Sequence, residues 1–131
     1  MIKFSCYYFS MKIKTLILAL LLACNLCHAQ TYMARVTYYW DGYQTSTGAK
    51  PTVNKTIAVD PKIIPYKSKV FIPKMGKTFL AQDTGSAVKS RRASRKLGKS
   101  NIVVDIYCKS KKEAESYIKN YPMFMEIKVT K

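Results

Sequence analysis

The sequence predicts a mainly β domain, a small barrel or sandwich, and three observations carry that reading. Short runs of β-branched and aromatic residues recur along the chain, Pro and Gly punctuate the intervals, and the last run alternates with a period of two. A chain of 131 residues, 48% of them hydrophobic, can build one core and has little room for a second.

Residues 31–40 mix β-branched and aromatic side chains and read as a first strand. Residues 41–54 then carry Gly42, Thr45, Ser46, Thr47, Gly48 and Pro51, which is loop composition. Further short strands are expected at 56–59, 69–72, 78–82 and 102–107, separated by Pro61, Pro65, Pro73 and Gly76. One helix is expected from Ser110, because Ser110-Lys111-Lys112-Glu113 has capping-box spacing and Ala114, Tyr117 and Ile118 follow at helical period. It should end near Asn120, ahead of Pro122. A last strand follows, with Met123, Met125, Ile127 and Val129 on its buried face and Phe124, Glu126, Lys128 and Thr130 on the other. Six basic residues (Lys89, Arg91, Arg92, Arg95, Lys96 and Lys99) crowd into 89–99 between two strands. That segment reads either as a solvated basic loop or as a flap that faces a polyanion beside a site.

The N-terminus reads as an export signal, residues 1–29, with Met11 as a possible true start. Lys12 and Lys14 precede an apolar run at 15–23, too short to span a bilayer, and Ala29 is a small residue at a cleavage position. The competing readings are a retained anchor or core helix, and a lipobox at Leu21-Leu22-Ala23-Cys24 with Cys24 lipidated and the protein held at the envelope. Cleavage after Ala29 removes Cys6, Cys24 and Cys27 and leaves Cys108 alone, so an internal disulfide is excluded. It also removes His28, the single histidine. Without it the mature domain has no Ser-His-Asp triad, no Cys-His dyad and no histidine-based metal site, and no cofactor or metal is expected.

The full chain carries 23 Lys+Arg against 7 Asp+Glu, a net charge of +16. Losing Lys3, Lys12 and Lys14 with the leader leaves 20 basic residues against the same 7 acids, or +13. That field attracts polyanions, and export favours lipid head groups and wall polymers over nucleic acid.

The seven acids are few enough to weigh singly. Glu113 is explained by capping, Glu115 by a solvated helix face, Glu126 by the outer face of the last strand and Asp41 by a turn. Asp60, Asp83 and Asp105 remain, each at the end of or inside an apolar strand. Asp105 within Ile102-Val103-Val104-Asp105-Ile106-Tyr107 is the least expected, because burying a carboxylate costs free energy unless it is paired or protonated. Either it caps loop amides, or an apolar setting and neighbouring aspartates hold it protonated as a general acid. Raised carboxylates without metal ligands suit glycosidic bond cleavage better than peptide hydrolysis.

At these aspartates the chain resembles the three-aspartate (3D) domain of membrane-bound lytic murein transglycosylase A and of small secreted stationary-phase survival proteins. The resemblance runs through Thr56-Ile57-Ala58-Val59-Asp60-Pro61, Ile64-Pro65, Lys69-Val70-Phe71-Ile72-Pro73, Gln82-Asp83-Thr84-Gly85-Ser86-Ala87-Val88-Lys89 and Val104-Asp105-Ile106-Tyr107. It implies a six-stranded double-psi β-barrel with one or two short helices and a groove for peptidoglycan glycan strands. It further implies lytic transglycosylase activity, in which the muramic acid 6-hydroxyl attacks its own anomeric carbon and leaves a 1,6-anhydro product. Asp105 takes the catalytic position, with Asp83 and Asp60 lining the same site. Thr47, Thr84 and Lys89 fall among the expected substrate contacts, and Tyr39 either stacks on a sugar ring or belongs to the core. Ser86 and Ser90 stand where the family has glycines, and fifteen residues separate Lys89 from Asp105, so the basic stretch is an insertion next to the site. A second implication is a non-catalytic, expansin-like wall-binding module. A monomer is expected in either case.

Overall fold

A computed structural model describes Lys14 and residues 29–131. Apart from Lys14 and Ala29, the expected leader lies outside the described residues, and so do the lipobox at Cys24 and His28.

Six strands close into a barrel: β1 (Gln30–Tyr39), β2 (Thr56–Ala58), β3 (Lys69–Ile72), β4 (Lys77–Asp83), β5 (Val103–Tyr107) and β6 (Phe124–Thr130), in the spatial order β1-β5-β2-β4-β3-β6. The pairs β1/β5 and β2/β4 are parallel and the remaining four are antiparallel. Closure leaves no unpaired strand edge, so every strand can satisfy its backbone within the sheet. The strands expected from the sequence are all present. β6 is buried at Met125, Ile127 and Val129 as its alternation requires, whereas Met123 lies ahead of the strand and is 54% exposed.

The barrel interior is filled by β-branched and small side chains, among them Val36, Ile57, Val70, Val104, Ile106 and Ile127. Pro73–Met75 makes one 3-10 turn between β3 and β4, and Gly76 ends it in a left-handed conformation at φ 61°, where a side chain is disfavoured.

The basic segment is not a loop. It folds into two single helical turns, α1 (Ser86–Lys89) and α2 (Arg92–Arg95), joined through Arg91 in a left-handed conformation at φ 53°. Arg91 is held there by its Nη1, which donates to the Ser100 carbonyl at 2.8 Å. Val88 and Ala93 pack on Ala58 and Val103, which face outward from the barrel, and this small apolar contact seats the insertion against the sheet.

The long helix α3 (Lys111–Asn120) starts as expected. Glu113 N donates to Ser110 Oγ at 3.3 Å, and the Glu113 carboxylate reaches back to the Lys109 amide. It lies against β1 through Tyr117, whose ring stacks on Tyr38 with centroids 5.4 Å apart.

Candidate active site

Strand register creates the site. On β5, Val104 and Ile106 point into the barrel, so alternation sends Val103, Asp105 and Tyr107 to the outer face. Asp105 is paired in register with Thr37 of β1 on one side and with Ala58 of β2 on the other. Ala58 in turn is paired with Asp83 of β4, across a shift in register between Ile57 and Ala58. Asp105, Ala58 and Asp83 therefore form one row across three strands, with the two acids roughly 10 Å apart at their backbones. Alanine between them is small enough for Val88 to seat on it, and Val88 becomes part of the wall above the row.

The space above the row is a cleft of ≈ 510 Å³, walled by Tyr39, Ser46, Asp83, Thr84, Val88 and Asp105 among others. The loop from Asp41 to Asn54 forms one wall, and Asp83 pins it. Asp83 Oδ1 accepts from the Ser46 amide at 2.9 Å, the Ser46 hydroxyl at 2.8 Å and the Thr84 amide at 2.8 Å, while Oδ2 accepts from the Tyr39 hydroxyl at 2.7 Å. Burial works to raise the Asp83 carboxyl, but these hydrogen bonds outweigh it and hold the group below its ordinary value. Asp83 is thus a fixed anion. The same bond, with burial the larger cause, pushes the Tyr39 phenol far up, so Tyr39 stays a donor.

Asp105 is in the opposite state. Burial pushes its carboxyl up to about 6, the Thr37 hydroxyl acts against that by donating to Oδ1 at 2.9 Å, and the nearby charge of Asp83 adds to the rise. Such a group exchanges a proton near neutral pH, which is what a general acid that must then become a base requires. The two aspartates have been driven apart by their surroundings, one toward permanent charge and one toward reversible protonation.

Of the residues expected at a site, Asp105, Asp83, Thr84 and Tyr39 come together here. Thr84 Oγ1 is buried with no hydrogen-bond partner, which leaves an unused hydroxyl in the wall of the cleft. Tyr39 is half-buried, its ring meeting Tyr107 edge-on at 5.3 Å, so it serves as a support for Asp83 more than as a free stacking surface.

Three of the expected residues lie outside this cleft. Asp60 does not line the cleft: it sits past the end of β2 where the chain turns at Pro61, and its Oδ1 accepts from Lys62 N at 3.1 Å while its carbonyl accepts from Ile63 and Ile64. It is a turn-forming aspartate. Thr47 is exposed, and its hydroxyl donates to the Gln82 carbonyl at 2.7 Å, so it anchors the loop and does not face the cleft. Lys89 is exposed at the end of α1 and outside the cleft wall.

Sequence reasoning passed over Thr37, Ser46 and Ala58. Nothing local marks Thr37 or Ala58, because their roles depend on which strand lies beside β5. Ser46 does stand in the hydroxyl-rich Thr45-Ser46-Thr47-Gly48 stretch, where it bonds Asp83 while its neighbour Thr47 bonds the Gln82 carbonyl. Cys108 is fully buried and burial pushes its thiol up to about 12, so it is inert. Among the described residues no group of three His, Cys, Asp or Glu side chains could hold a metal ion.

No curated protein matches the chain. A family model described as the 3D domain matches residues 55–125, a span that takes in β2 to the start of β6 and with it Asp83, Thr84 and Asp105. That match covers more than half of the 131 residues, and the chain belongs to the 3D domain family.

Proposed function

We propose that this protein is an exported lytic transglycosylase that cleaves the bond between N-acetylmuramic acid and N-acetylglucosamine in peptidoglycan. Asp105 carries the reading: it is an acid-base group with its carboxyl pushed up to about 6, on the wall of an open cleft whose second aspartate is permanently charged. Membership of a family associated with murein-related enzymes supports it.

In this mechanism protonated Asp105 gives its proton to the glycosidic oxygen as the bond to the anomeric carbon breaks. The resulting carboxylate then takes the proton of the muramic acid 6-hydroxyl as that oxygen closes onto the anomeric carbon. The proton count balances, Asp105 returns to its starting state, and no water enters. The fixed charge of Asp83 both raises Asp105 and stabilises positive charge that develops on the sugar. With a value of about 6, roughly a tenth of Asp105 is protonated at pH 7 and half at pH 6, so turnover should rise toward mild acid.

A specific feature favours a second reading, a non-catalytic expansin-like module. Beyond Asp41 the groove continues into a space of ≈ 500 Å³ with Trp40, Tyr43 and Tyr107 on its walls, and Tyr43 is 99% exposed. Such aromatic surface can grip sugar rings without any chemistry. Digestion of purified peptidoglycan with the wild type and with Asp105→Asn, read by mass spectrometry, separates the two. Anhydro-muropeptides from the wild type alone support the enzyme. Glycan binding without products, equal in both proteins, leaves the module.

A further inference from the structure

A second cleft opens on the other side of Asp105. It measures ≈ 440 Å³, shares Ala87, Val88 and Asp105 with the first cleft, and runs beneath the inserted helical turns. Its floor is apolar, with Val103, Ala93, Leu97 and Met123, and Leu97 and Met123 remain 47% and 54% exposed. Around that floor stand three cations, Arg35, Arg92 and Lys96. Neither of the two ion pairs among the described residues involves any of them. Arg35 is held in place: its Nη1 donates to the Val36 carbonyl at 3.1 Å and its guanidinium lies 5.9 Å from the centroid of the Phe124 ring. Arg92 and Lys96 come from the insertion, which Val88 and Ala93 clamp to the barrel.

We propose that this cleft recognises the acidic peptide stem of the muramyl residue whose glycosidic bond lies at Asp105. The inference rests on the peptidoglycan reading above and adds to it a determinant of substrate choice. The stem is rooted on the same sugar ring that is cleaved, through the lactyl ether at C3, so it leaves the first cleft within a few ångströms of Asp105. One continuation from that point is the cation-ringed cleft, because Asp105 forms the wall between the two. A stem of small methyl-bearing residues with free carboxylates matches both of its properties: the methyl groups cover the exposed Leu97 and Met123, and the carboxylates meet Arg35, Arg92 and Lys96. A glycan stripped of its stems keeps only its acetamido and lactyl methyl groups and one lactyl carboxylate on each muramyl residue, and so gains less from such a surface. The insertion therefore builds a specificity wall for stem-bearing glycan, and the role expected for it from charge alone, contact with anionic glycan, narrows to contact with the stem.

The test is co-sedimentation of the purified full-length protein with three forms of the polymer: intact peptidoglycan, glycan stripped of its stems by an amidase, and peptidoglycan whose carboxyl groups have been converted to amides. The wild type should bind intact peptidoglycan about tenfold more tightly than either treated form. The double variant Arg92→Ala/Lys96→Ala should bind intact peptidoglycan only as well as the wild type binds the stripped glycan. A charge-matched control, Lys112→Ala/Lys119→Ala on the exposed side of α3, should keep the preference. Equal wild-type binding to intact and stripped polymer overturns the stem cleft and leaves the glycan reading standing. An equal fall in both double variants also overturns it, since it reduces the effect to net charge. Failure of the wild type to bind any of the three removes both readings.

Discussion

The state of Asp105 makes a prediction that runs against the usual cost of mutation: Asp105→Asn should stabilise the fold. In the native barrel the carboxyl is raised from 3.8 to about 6, chiefly by burial. Between these values the folded protein holds a proton that the unfolded chain has released, so stability falls as pH rises through that window. The contribution is fully present below about pH 4 and gone by about pH 7. At about 1.4 kcal/mol for each pH unit between the two values, the ionised carboxylate costs about 3 kcal/mol at neutral pH. Asparagine keeps the shape and an acceptor for the Thr37 hydroxyl, and it carries no charge to desolvate. Allowing for burial of its amide, about 2 kcal/mol should be recovered, which for a domain near 100 residues is about 10 °C in Tm. Urea denaturation of the wild type and Asp105→Asn at pH 3, 5 and 7.5 reads this directly. The variant should trail the wild type by about 1 kcal/mol at pH 3, where only the cost of the buried amide remains, and lead by about 2 kcal/mol at pH 7.5. A variant of equal or lower stability at pH 7.5, or a gap that does not change with pH, refutes the argument that burial destabilises the Asp105 carboxylate.

Two further outcomes follow from the same site. Thr37→Val removes the hydroxyl that donates to Asp105 Oδ1 at 2.9 Å and should move the carboxyl upward by about one pH unit, since a hydrogen bond to a charged group contributes about 1.5 kcal/mol or more; carbon-detected NMR titration of Asp105 reads the change, and an unchanged value rejects the role of Thr37. Asp83→Ala strips four acceptor contacts from the Ser46, Thr84 and Tyr39 donors, so amide exchange at Ser46 and Thr84 should quicken. Removal of the negative charge should at the same time lower Asp105, and a rise would refute the coupling between the two acids.

The division between permanent and reversible charge gives the site its logic. Both acids start from the same chemistry. Asp83 ends β4 beside backbone amides and hydroxyls that can point at it, whereas Asp105 lies mid-strand, where backbone donors are committed to the sheet and a single hydroxyl is in reach. A strand interior is an expensive place for a carboxylate, and that cost is what tunes Asp105 for proton transfer.

Features with local causes are legible in the residues alone. The period of two in residues 124–130 decides both that β6 is a strand and which face of it is buried. Ser110 and Glu113 lie three residues apart and set where α3 begins. The oddness of an acid inside Ile-Val-Val-Asp-Ile-Tyr is visible without a structure, because burial of charge is costly in any fold. Tertiary structure alone decided the rest. Which aspartates share a cleft depends on register across β1, β5, β2 and β4, and that register excludes Asp60, whose strand has already turned at Pro61, and recruits Thr37, whose partner is 68 residues away. Likewise residues 89–99 have the composition of a loop, yet the chain from Ser86 to Arg95 forms two helical turns because Val88 and Ala93 cover Ala58 and Val103 on the outer face of the barrel. Periodicity and capping act between neighbours in the chain, whereas a site on a closed barrel is assembled by strand pairing between residues distant in sequence, and no local pattern records that pairing.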